Sequence, residues 1–181
     1  MVQALREIIS SADFNHASLI EAFSRFRCPY AETEGADVLS FLKEKAIAFE
    51  KRGEARTYLW MNDEKWKQGK AQIDGFFSLS IKVIYFADVS DAAILETVNK
   101  SNNHPAFLIG QLARSEESPR GTGDAMLKTA VGFLLSASNI IGCRLAYIDC
   151  SESLRDYYRK EGFSFLQKKP KSHLIQMYRL L

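Results

Sequence analysis

Apolar residues run together or alternate with polar ones in several short stretches, and this pattern predicts β-strands. The predicted strands are residues 57–61, 73–86, 105–113, 143–149 and 174–180. The long second stretch contains Gly75, where we expect a bulge, because an isolated glycine in a strand pattern often marks one. The strands are bounded by turn-forming residues and no linker interrupts them.

Apolar residues recur at helical spacing in the segments between the predicted strands. The predicted helices are residues 18–26, 37–49, 91–99, 124–140 and 153–161. In the fourth helix we expect Leu127, Val131, Leu134 and Leu135 to face the core. This order of elements predicts an α/β (α+β) fold, with about six or seven strands in one central sheet flanked by helices. We expect a single domain over residues 1–181.

The turn between the strand at 105–113 and the helix from 124 reads Ser-Pro-Arg-Gly-Thr-Gly over residues 118–123. Amides at a helix N-terminus have no partner within the helix and favour a negatively charged ligand. Gly121 and Gly123 allow a ligand close to the backbone, and Arg120 adds a positive charge. The turn therefore indicates a phosphate site, although an ordinary surface turn stays open.

Known phosphate motifs differ from this turn. It is not a P-loop, because no Gly-Lys-Ser/Thr follows the glycines. Met126 stands where a dinucleotide fingerprint would have its third glycine. The composition of the turn alone therefore leaves its ligand undefined.

Two motifs taken together resemble the GNAT family of N-acetyltransferases. Residues 118–123 occupy the family's acetyl-CoA signature, Gln/Arg-x-x-Gly-x-Gly/Ala, and precede a long helix. Residues 157–163, Tyr-Tyr-Arg-Lys-Glu-Gly-Phe, match the family's Phe/Tyr-Tyr-x-x-x-Gly-Phe helix after the fifth strand. The chain departs from the signature at Ser118, which replaces Gln or Arg, and at Pro119, which has no N–H to donate.

The resemblance implies a mixed, mostly antiparallel sheet in which strands 4 and 5 are parallel and splayed. It also implies acetyl-CoA as co-substrate and no metal. Backbone N–H groups around Gln111, Leu112 and Ala113 would hold the pantetheine arm. The pyrophosphate would lie on the amides of Arg120, Gly121, Thr122, Gly123 and Asp124.

The same resemblance makes Tyr158 the general acid, with Tyr157 expected in the core. A phenol with a pKa near about 10 can protonate a thiolate whose parent thiol titrates near about 8.5. The general base stays open. Its candidates near strand ends are His104, Glu116, Glu117 and Asp149.

The implied function is transfer of an acetyl group from acetyl-CoA to a primary amine by direct attack within a ternary complex. The acceptor could be a small molecule, a peptide or an aminoacyl-tRNA. Residues 27–28, 37–46, 51–58 and 110–113 look like a GNAT branch that includes tRNA-acetylating toxins of toxin–antitoxin pairs, so an antitoxin partner is an alternative. A catalytically weak CoA-binding module and a homodimer are also left open.

Composition fits this interpretation. The 46% hydrophobic content of the 181 residues suffices for a core and argues against a disordered chain. No apolar run reaches the roughly 18–20 residues that span a bilayer. Three cysteines without C-x-x-C spacing indicate neither a disulfide framework nor a zinc site, so we expect a cytoplasmic protein that does not enter membranes.

Charge gives only a weak indication of partners. A net charge of +2 does not by itself indicate nucleic-acid binding. Basic groups occur at residues 51–56, 65–70 and 168–171. They are either solvated surface or, if they converge on one face, a site for an anionic partner such as tRNA.

Overall fold

The computed structural model describes residues 1–11, 15–29, 36–62, 65, 72–85 and 103–181. Its strands are β1 (Val2–Ala4), β2 (Arg56–Met61), β3 (Ile73–Tyr85), β4 (Asn103–Arg114), β5 (Leu145–Cys150), β6 (Ser164–Lys168) and β7 (Ile175–Leu180). Its α-helices are α1 (Leu5–Ser10), α2 (His16–Arg25), α3 (Ala36–Ser40), α4 (Ala46–Arg52), α5 (Thr122–Ser138) and α6 (Arg155–Lys160). The helix predicted at residues 91–99 lies outside the described residues.

The seven described strands form one mixed sheet in the order β1-β2-β3-β4-β5-β7-β6. β4 and β5 are parallel, whereas β1–β2, β2–β3, β5–β7 and β6–β7 are antiparallel, which confirms the predicted sheet. β4 pairs with β5 only at Phe107–Ala146 and Leu108–Tyr147. Both strands continue beyond this short ladder, to Arg114 and Cys150, as expected of splayed strands.

The expected bulge in β3 lies beside Gly75. Trp60 of β2 pairs with Gly75, but the next residue, Met61, pairs with Ile73, so Asp74 is the extra residue. The bulge therefore precedes Gly75 by one position.

Contacts divide the chain into two units. The first comprises Met1–Leu79 and Gln111–Leu127, and the second comprises Ser80–Gly110 and Lys128–Leu181. The organisation of residues 1–181 as a single domain stays a prediction.

The core of the first unit is built by helices that bury one apolar face. α2 begins at Asn15, whose side chain accepts the Ser18 N–H at 3.1 Å, and its Leu19 and Phe23 are buried one helical turn apart. The segment predicted as a helix at 37–49 runs from α3 to α4 through a π-helical turn, Phe41–Lys45. Buried residues of this core include Leu5, Phe41, Leu42, Ala46, Leu59, Met61, Ile73, Phe76 and Ala113.

The second unit buries an apolar cluster made of strand residues. Its buried members are Ile84, Ala106, Leu145, Tyr147 and Tyr178. The C-terminal part of α5 also belongs to this unit, and there one expectation was wrong: Leu135 is 47% exposed. Val131 and Leu134 are buried as expected, and Ala130 is buried as well, so the buried stripe of α5 lies on the side of Leu134 away from Leu135.

Candidate active site

The segment that follows β4 in the first unit is fixed by backbone hydrogen bonds. The Ser115 N–H donates to the Asp74 carbonyl at 2.7 Å, which ties the end of β4 to the start of β3. The Ser118 N–H and hydroxyl both donate to the Ser115 carbonyl, at 3.2 and 2.7 Å. Ser118, which departs from the GNAT signature, is therefore buried and holds the turn with its side chain.

The next turn leads directly into α5. The Thr122 N–H and hydroxyl donate to the Pro119 carbonyl at 3.2 and 2.8 Å. Gly121 has a φ of 85°, a left-handed conformation that favours glycine. A Cβ built on Gly121 would have no neighbour within 4 Å, so the space beside this residue is open.

Four of the five amides expected to hold a pyrophosphate are available. Within the described part of the chain, the N–H groups of Arg120, Gly121, Gly123 and Asp124 donate to no other residue. The fifth, that of Thr122, already closes the turn. Because α5 starts at Thr122, the free amides lie at the positive end of its dipole, which suits an anion.

Arg120 is the cation of this turn. It is exposed, and it forms no ion pair with any residue that the structure describes. Its guanidinium can therefore approach a phosphate without first breaking an internal contact.

The end of β4 carries the residues predicted to bind pantetheine. Gln111 and Leu112 are half-buried and Ala113 is buried. All three lie beyond the last β4–β5 pair, at Leu108 and Tyr147. An extended ligand arm can pair with strand backbone that has no strand partner on one side.

Gly75 in β3 packs against the start of α5 and the end of β4, the two elements that flank the turn. A Cβ at this position would collide with Met126 Sδ and would lie 2.7 Å from Met126 Cε and 2.9 Å from the Ala113 carbonyl oxygen. The missing side chain therefore lets the first turns of α5 and the end of β4 pack against β3. Sequence reasoning associated Gly75 with a bulge, but gave no sign of this contact.

Tyr158 lies on α6 in the second unit and is 4% exposed. Its ring centroid is 5.0 Å from that of Tyr157 and 5.9 Å from that of Phe163, both in edge-on contacts. Burial raises the pKa of Tyr158 well above its usual value, and the neighbouring Cys150 and Tyr157 raise it further. The phenol is therefore protonated throughout the neutral range. Tyr157, expected in the core, is half-buried.

The four candidate bases occupy different environments. His104 is buried in β4, and Glu116 is exposed with its amide donating to the Arg27 carbonyl. Glu117 is exposed and its carboxylate lies 4.0 Å from the Lys65 ammonium.

Asp149 in β5 is the fourth candidate. It accepts hydrogen bonds from Lys82 Nζ at 3.1 Å, from Lys169 Nζ at 2.8 Å and from the Tyr147 hydroxyl. Burial would raise the pKa of Asp149, but the hydrogen bonds from Lys169 and Tyr147 and the charge of Lys82 lower it overall. A carboxylate held ionised in this way is a poor proton acceptor.

The first unit also contains a cavity of about 390 Å³ at the end of α2. It is lined by Ala22, Arg25, Phe26, Arg27, Lys65, Gln72, Ile73, Ser115, Glu116 and Glu117. Its wall therefore mixes cations and carboxylates, and it borders the start of the segment that leads to the turn.

The basic groups seen in the sequence do not all offer free charge. Arg52 pairs with Glu54 at 2.7 Å, and Arg56 pairs with the buried Glu50 at 2.8 Å. In the group at residues 65–70 only Lys65 is described. In the third group, Lys169 pairs with Asp149. Lys82, the second lysine on Asp149, had no signal in the sequence beyond being a lone charge in an apolar strand.

Among the described residues, no group of three or more His, Cys, Asp or Glu side chains could hold a metal ion. Those residues also include no helix that is both long and apolar enough to cross a membrane.

Comparison by sequence finds no relatives: no protein family pattern and no curated protein matches the chain. Comparison by structure finds proteins of similar fold. AtaT complexed with acetyl-methionyl-tRNAfMet has a TM-score of 0.75 at 16% identity, covering 99% of this chain and 94% of that chain. A tyrosine-to-phenylalanine variant of the AtaT toxin, bound to the C-terminus of the antitoxin AtaR and acetyl-CoA, has a TM-score of 0.68 at 15% identity, covering 99% and 92%.

A tyrosine-to-phenylalanine variant of KacT is a third similar structure. Its TM-score is 0.70 at 17% identity, over 87% of this chain and 86% of that chain. At these identities the likeness shows a shared fold. The chain therefore has the GNAT fold of AtaT and KacT, which confirms the fold that the two sequence motifs implied.

Proposed function

We propose that this chain is an acetyl-CoA-dependent N-acetyltransferase whose acceptor is the amino group of an aminoacyl-tRNA. The observation that carries the proposal is the turn at Arg120–Asp124, where four amides and one guanidinium are free to bind an anion. The acceptor is suggested by the fold shared with AtaT, whose structure is complexed with acetyl-methionyl-tRNAfMet. Such an acceptor implies a cytoplasmic protein.

The donor set at the turn fits a diphosphate. Backbone N–H groups at a helix N-terminus and an unpaired guanidinium complement its charge and its several acceptor oxygens. Ser118 and Pro119 do not count against this fit. Ser118 uses its hydroxyl to hold the turn, and Pro119 contributes a carbonyl, so its missing N–H removes no needed donor.

The residues would divide the work between backbone and side chain. Acetyl-CoA supplies an acetyl thioester when bound. The amides of Arg120, Gly121, Gly123 and Asp124 would hold its diphosphate while Thr122 keeps the turn closed, and those of Gln111, Leu112 and Ala113 would hold the pantetheine arm. The acceptor nitrogen forms the new bond to the acetyl carbon as the carbon–sulfur bond breaks.

Tyr158 would then donate the proton that the departing sulfur needs. The phenol is protonated at neutral pH, so a proton is present when the thiolate forms. The proton lost by the acceptor amine would pass to solvent. The poor basicity of Asp149 is consistent with this arrangement.

The test is acetyl transfer from radiolabelled acetyl-CoA to three acceptors: methionyl-tRNA, free methionine and a peptide with a free N-terminus. We expect label in precipitable RNA, released as N-acetylmethionine when mild alkali cleaves the ester. Transfer only to free methionine or to the peptide would contradict the tRNA acceptor while leaving an N-acetyltransferase. Coenzyme binding without transfer to any amine would leave only a CoA-binding module.

A toxin role is the consequence of this activity in a cell. AtaT is described as a toxin bound by the antitoxin AtaR, and acetylation of charged tRNA would withdraw it from protein synthesis. We expect expression of this chain to arrest growth and the Tyr158→Phe variant to permit it. Equal arrest by both proteins would separate any toxicity from acetyl transfer.

A further inference from the structure

A cluster of charged side chains lies outside the residues given roles above. In the second unit, Lys82 of β3 and Lys169, next to the end of β6, both reach Asp149 of β5. Their ammonium nitrogens lie 3.1 and 2.8 Å from the same oxygen, Oδ2. The other oxygen, Oδ1, accepts the Tyr147 hydroxyl, and Lys82 Nζ also lies 5.0 Å from the centre of the Tyr147 ring.

The two lysines carry two positive charges and Asp149 carries one negative charge, so the cluster has a surplus of one positive charge. Two ammonium groups share one carboxylate oxygen, and among the ion pairs of the described residues neither lysine meets a second carboxylate. The carboxylate is largely covered, with 17% of its side chain exposed, whereas the lysines are 34% and 33% exposed. The surplus charge therefore faces solvent, and like charges held close together are relieved by an anion.

The strand pattern places this cluster on the side of the sheet away from α6. On β7, Met177 borders the cavity lined by Arg155 and Arg159 of α6, while Tyr178 belongs to the strand-built cluster with Tyr147. Side chains alternate between the two faces of a strand, so Tyr147 and its neighbour Asp149 share the face of Tyr178. That face carries the two lysines.

We propose that Lys82 and Lys169, which Asp149 holds close together, bind a phosphodiester of the acceptor RNA. This inference rests on the proposed function. A phosphodiester carries one negative charge, which matches the single surplus charge of the cluster. The other phosphate source is the 3′-phosphate of coenzyme A, a monoester with about −1.5 to −2 charge, which this cluster matches less well. Ammonium–phosphate contacts position an RNA without reading its sequence.

The binding test uses fluorescently labelled uncharged tRNA, with anisotropy measured over a series of KCl concentrations. Each neutralised phosphate contact contributes roughly one unit to the slope of log affinity against log salt. We expect Lys82→Gln and Lys169→Gln each to weaken binding roughly three- to tenfold and to lower the slope by about one. Lys82→Arg and Lys169→Arg should keep the wild-type slope, because they keep the charge.

Two controls separate binding from folding. Lys128→Gln removes an exposed lysine of α5 in the same unit and should leave both affinity and slope unchanged. The double variant Lys82→Gln/Asp149→Asn removes a whole ion pair, so no buried carboxylate loses its cations. The surplus of one positive charge then stays on Lys169, so this variant should retain the wild-type salt slope for tRNA as well as wild-type affinity for acetyl-CoA.

Three outcomes would overturn the inference. Wild-type salt slopes in both lysine variants would do so, and if the wild type still acetylates methionyl-tRNA, the proposed function survives. If the wild type binds coenzyme A more tightly than dephospho-coenzyme A and the lysine variants do not, the cluster binds the 3′-phosphate of the coenzyme and not RNA. A wild type that binds no tRNA would remove the RNA site, and the acetyl-transfer assay with free amines would then decide whether any acetyltransferase remains.

Discussion

The turn at residues 118–124 and the helix around Tyr158 would carry the two halves of the proposed chemistry, and they are built differently. The turn offers backbone amides on an exposed loop, with one side-chain charge from Arg120. Tyr158 offers a single side-chain hydroxyl that is 4% exposed among aromatic rings. Amides depend on chain conformation and do not titrate, whereas a buried hydroxyl depends on packing. The two regions should therefore fail under different kinds of mutation.

The largest effect is expected at Tyr158. The Tyr158→Phe change removes one oxygen and leaves the packed ring, so we expect kcat to fall by roughly 10²-fold or more with acetyl-CoA affinity unchanged. Because burial raises the pKa of Tyr158, this phenol should cause no alkaline loss of rate below about pH 10. Thiol release under saturating acceptor, measured across pH, checks both statements.

The neighbouring Tyr157 provides the matched control for that experiment. Tyr157→Phe removes the same group from a half-buried position one residue away and should change kcat little. Equal losses in the two variants, or an unchanged rate in Tyr158→Phe, would exclude Tyr158 as the acid.

The next effect concerns how the turn is supported. In Gly75→Ala the new methyl group would press on Met126 and on the Ala113 carbonyl, and overpacking of this kind costs about 1–3 kcal/mol of unfolding free energy. Urea unfolding measures the loss. Met126 is itself buried, so Met126→Ala also costs stability, but the double variant should lose less than the sum of the two single losses, because one of the two contacts is relieved. Strictly additive losses in the double variant would show that Gly75 and Met126 are not coupled.

Much of the turn was predictable because its signals are local. Gly121 and Gly123, followed by a helical pattern, indicate a helix N-terminus whatever the rest of the chain does, and the structure starts α5 at Thr122. The hydrogen bond from Thr122 to Pro119 was not predictable, because it depends on how tightly the turn closes. Local sequence therefore located the amides but not which of them are free.

Elements that depend on distant partners were the ones missed. β6 carries Ser164, Gln167 and Lys168, a polar pattern that a sheet-edge strand tolerates but that does not indicate a strand. β1 has three residues, too few for any period to be visible. Lys82 and Asp149 are 67 positions apart, so the sequence shows two isolated charges where the fold makes an ion pair.

The turn should fail through its backbone. Gly121 has a φ of 85°, which costs a residue with a Cβ about 1–2 kcal/mol, and a valine side chain would also stand beside the free amides. We expect Gly121→Val to weaken acetyl-CoA binding roughly tenfold, measured by calorimetry. The Gly121→Val variant should use S-acetylpantetheine, which lacks the diphosphate, as efficiently as the wild type does.

Gly142 provides the control for this change. It is exposed, has no left-handed φ and has no neighbour within 4 Å of a built Cβ, so Gly142→Val should bind acetyl-CoA normally. Equal losses toward acetyl-CoA and S-acetylpantetheine in Gly121→Val would mean that the diphosphate lies elsewhere.

The smallest expected effect is on the pH dependence of stability, which should come from the Asp149 side-chain network and not from the backbone of the turn. The pKa of Asp149 is lowered in the folded protein, so its ionisation stabilises the fold above its unfolded pKa of about 3.9, and this stabilisation is lost as the pH falls through the lower folded value. Below about pH 4 the unfolding free energy of Asp149→Asn should therefore fall less steeply than that of the wild type.

Two variants that leave Asp149 in place serve as controls for this pH series, one with a changed exposed side chain and one with a changed backbone position. Asp156→Asn, which alters an exposed carboxylate paired with Arg159, should keep a slope near that of the wild type. Gly121→Val should keep it too, because no titrating group is removed from the turn. Urea unfolding between about pH 5 and pH 3 provides the slopes. Matching slopes in Asp149→Asn and the wild type would show that Lys82 and Lys169 do not hold this carboxylate ionised.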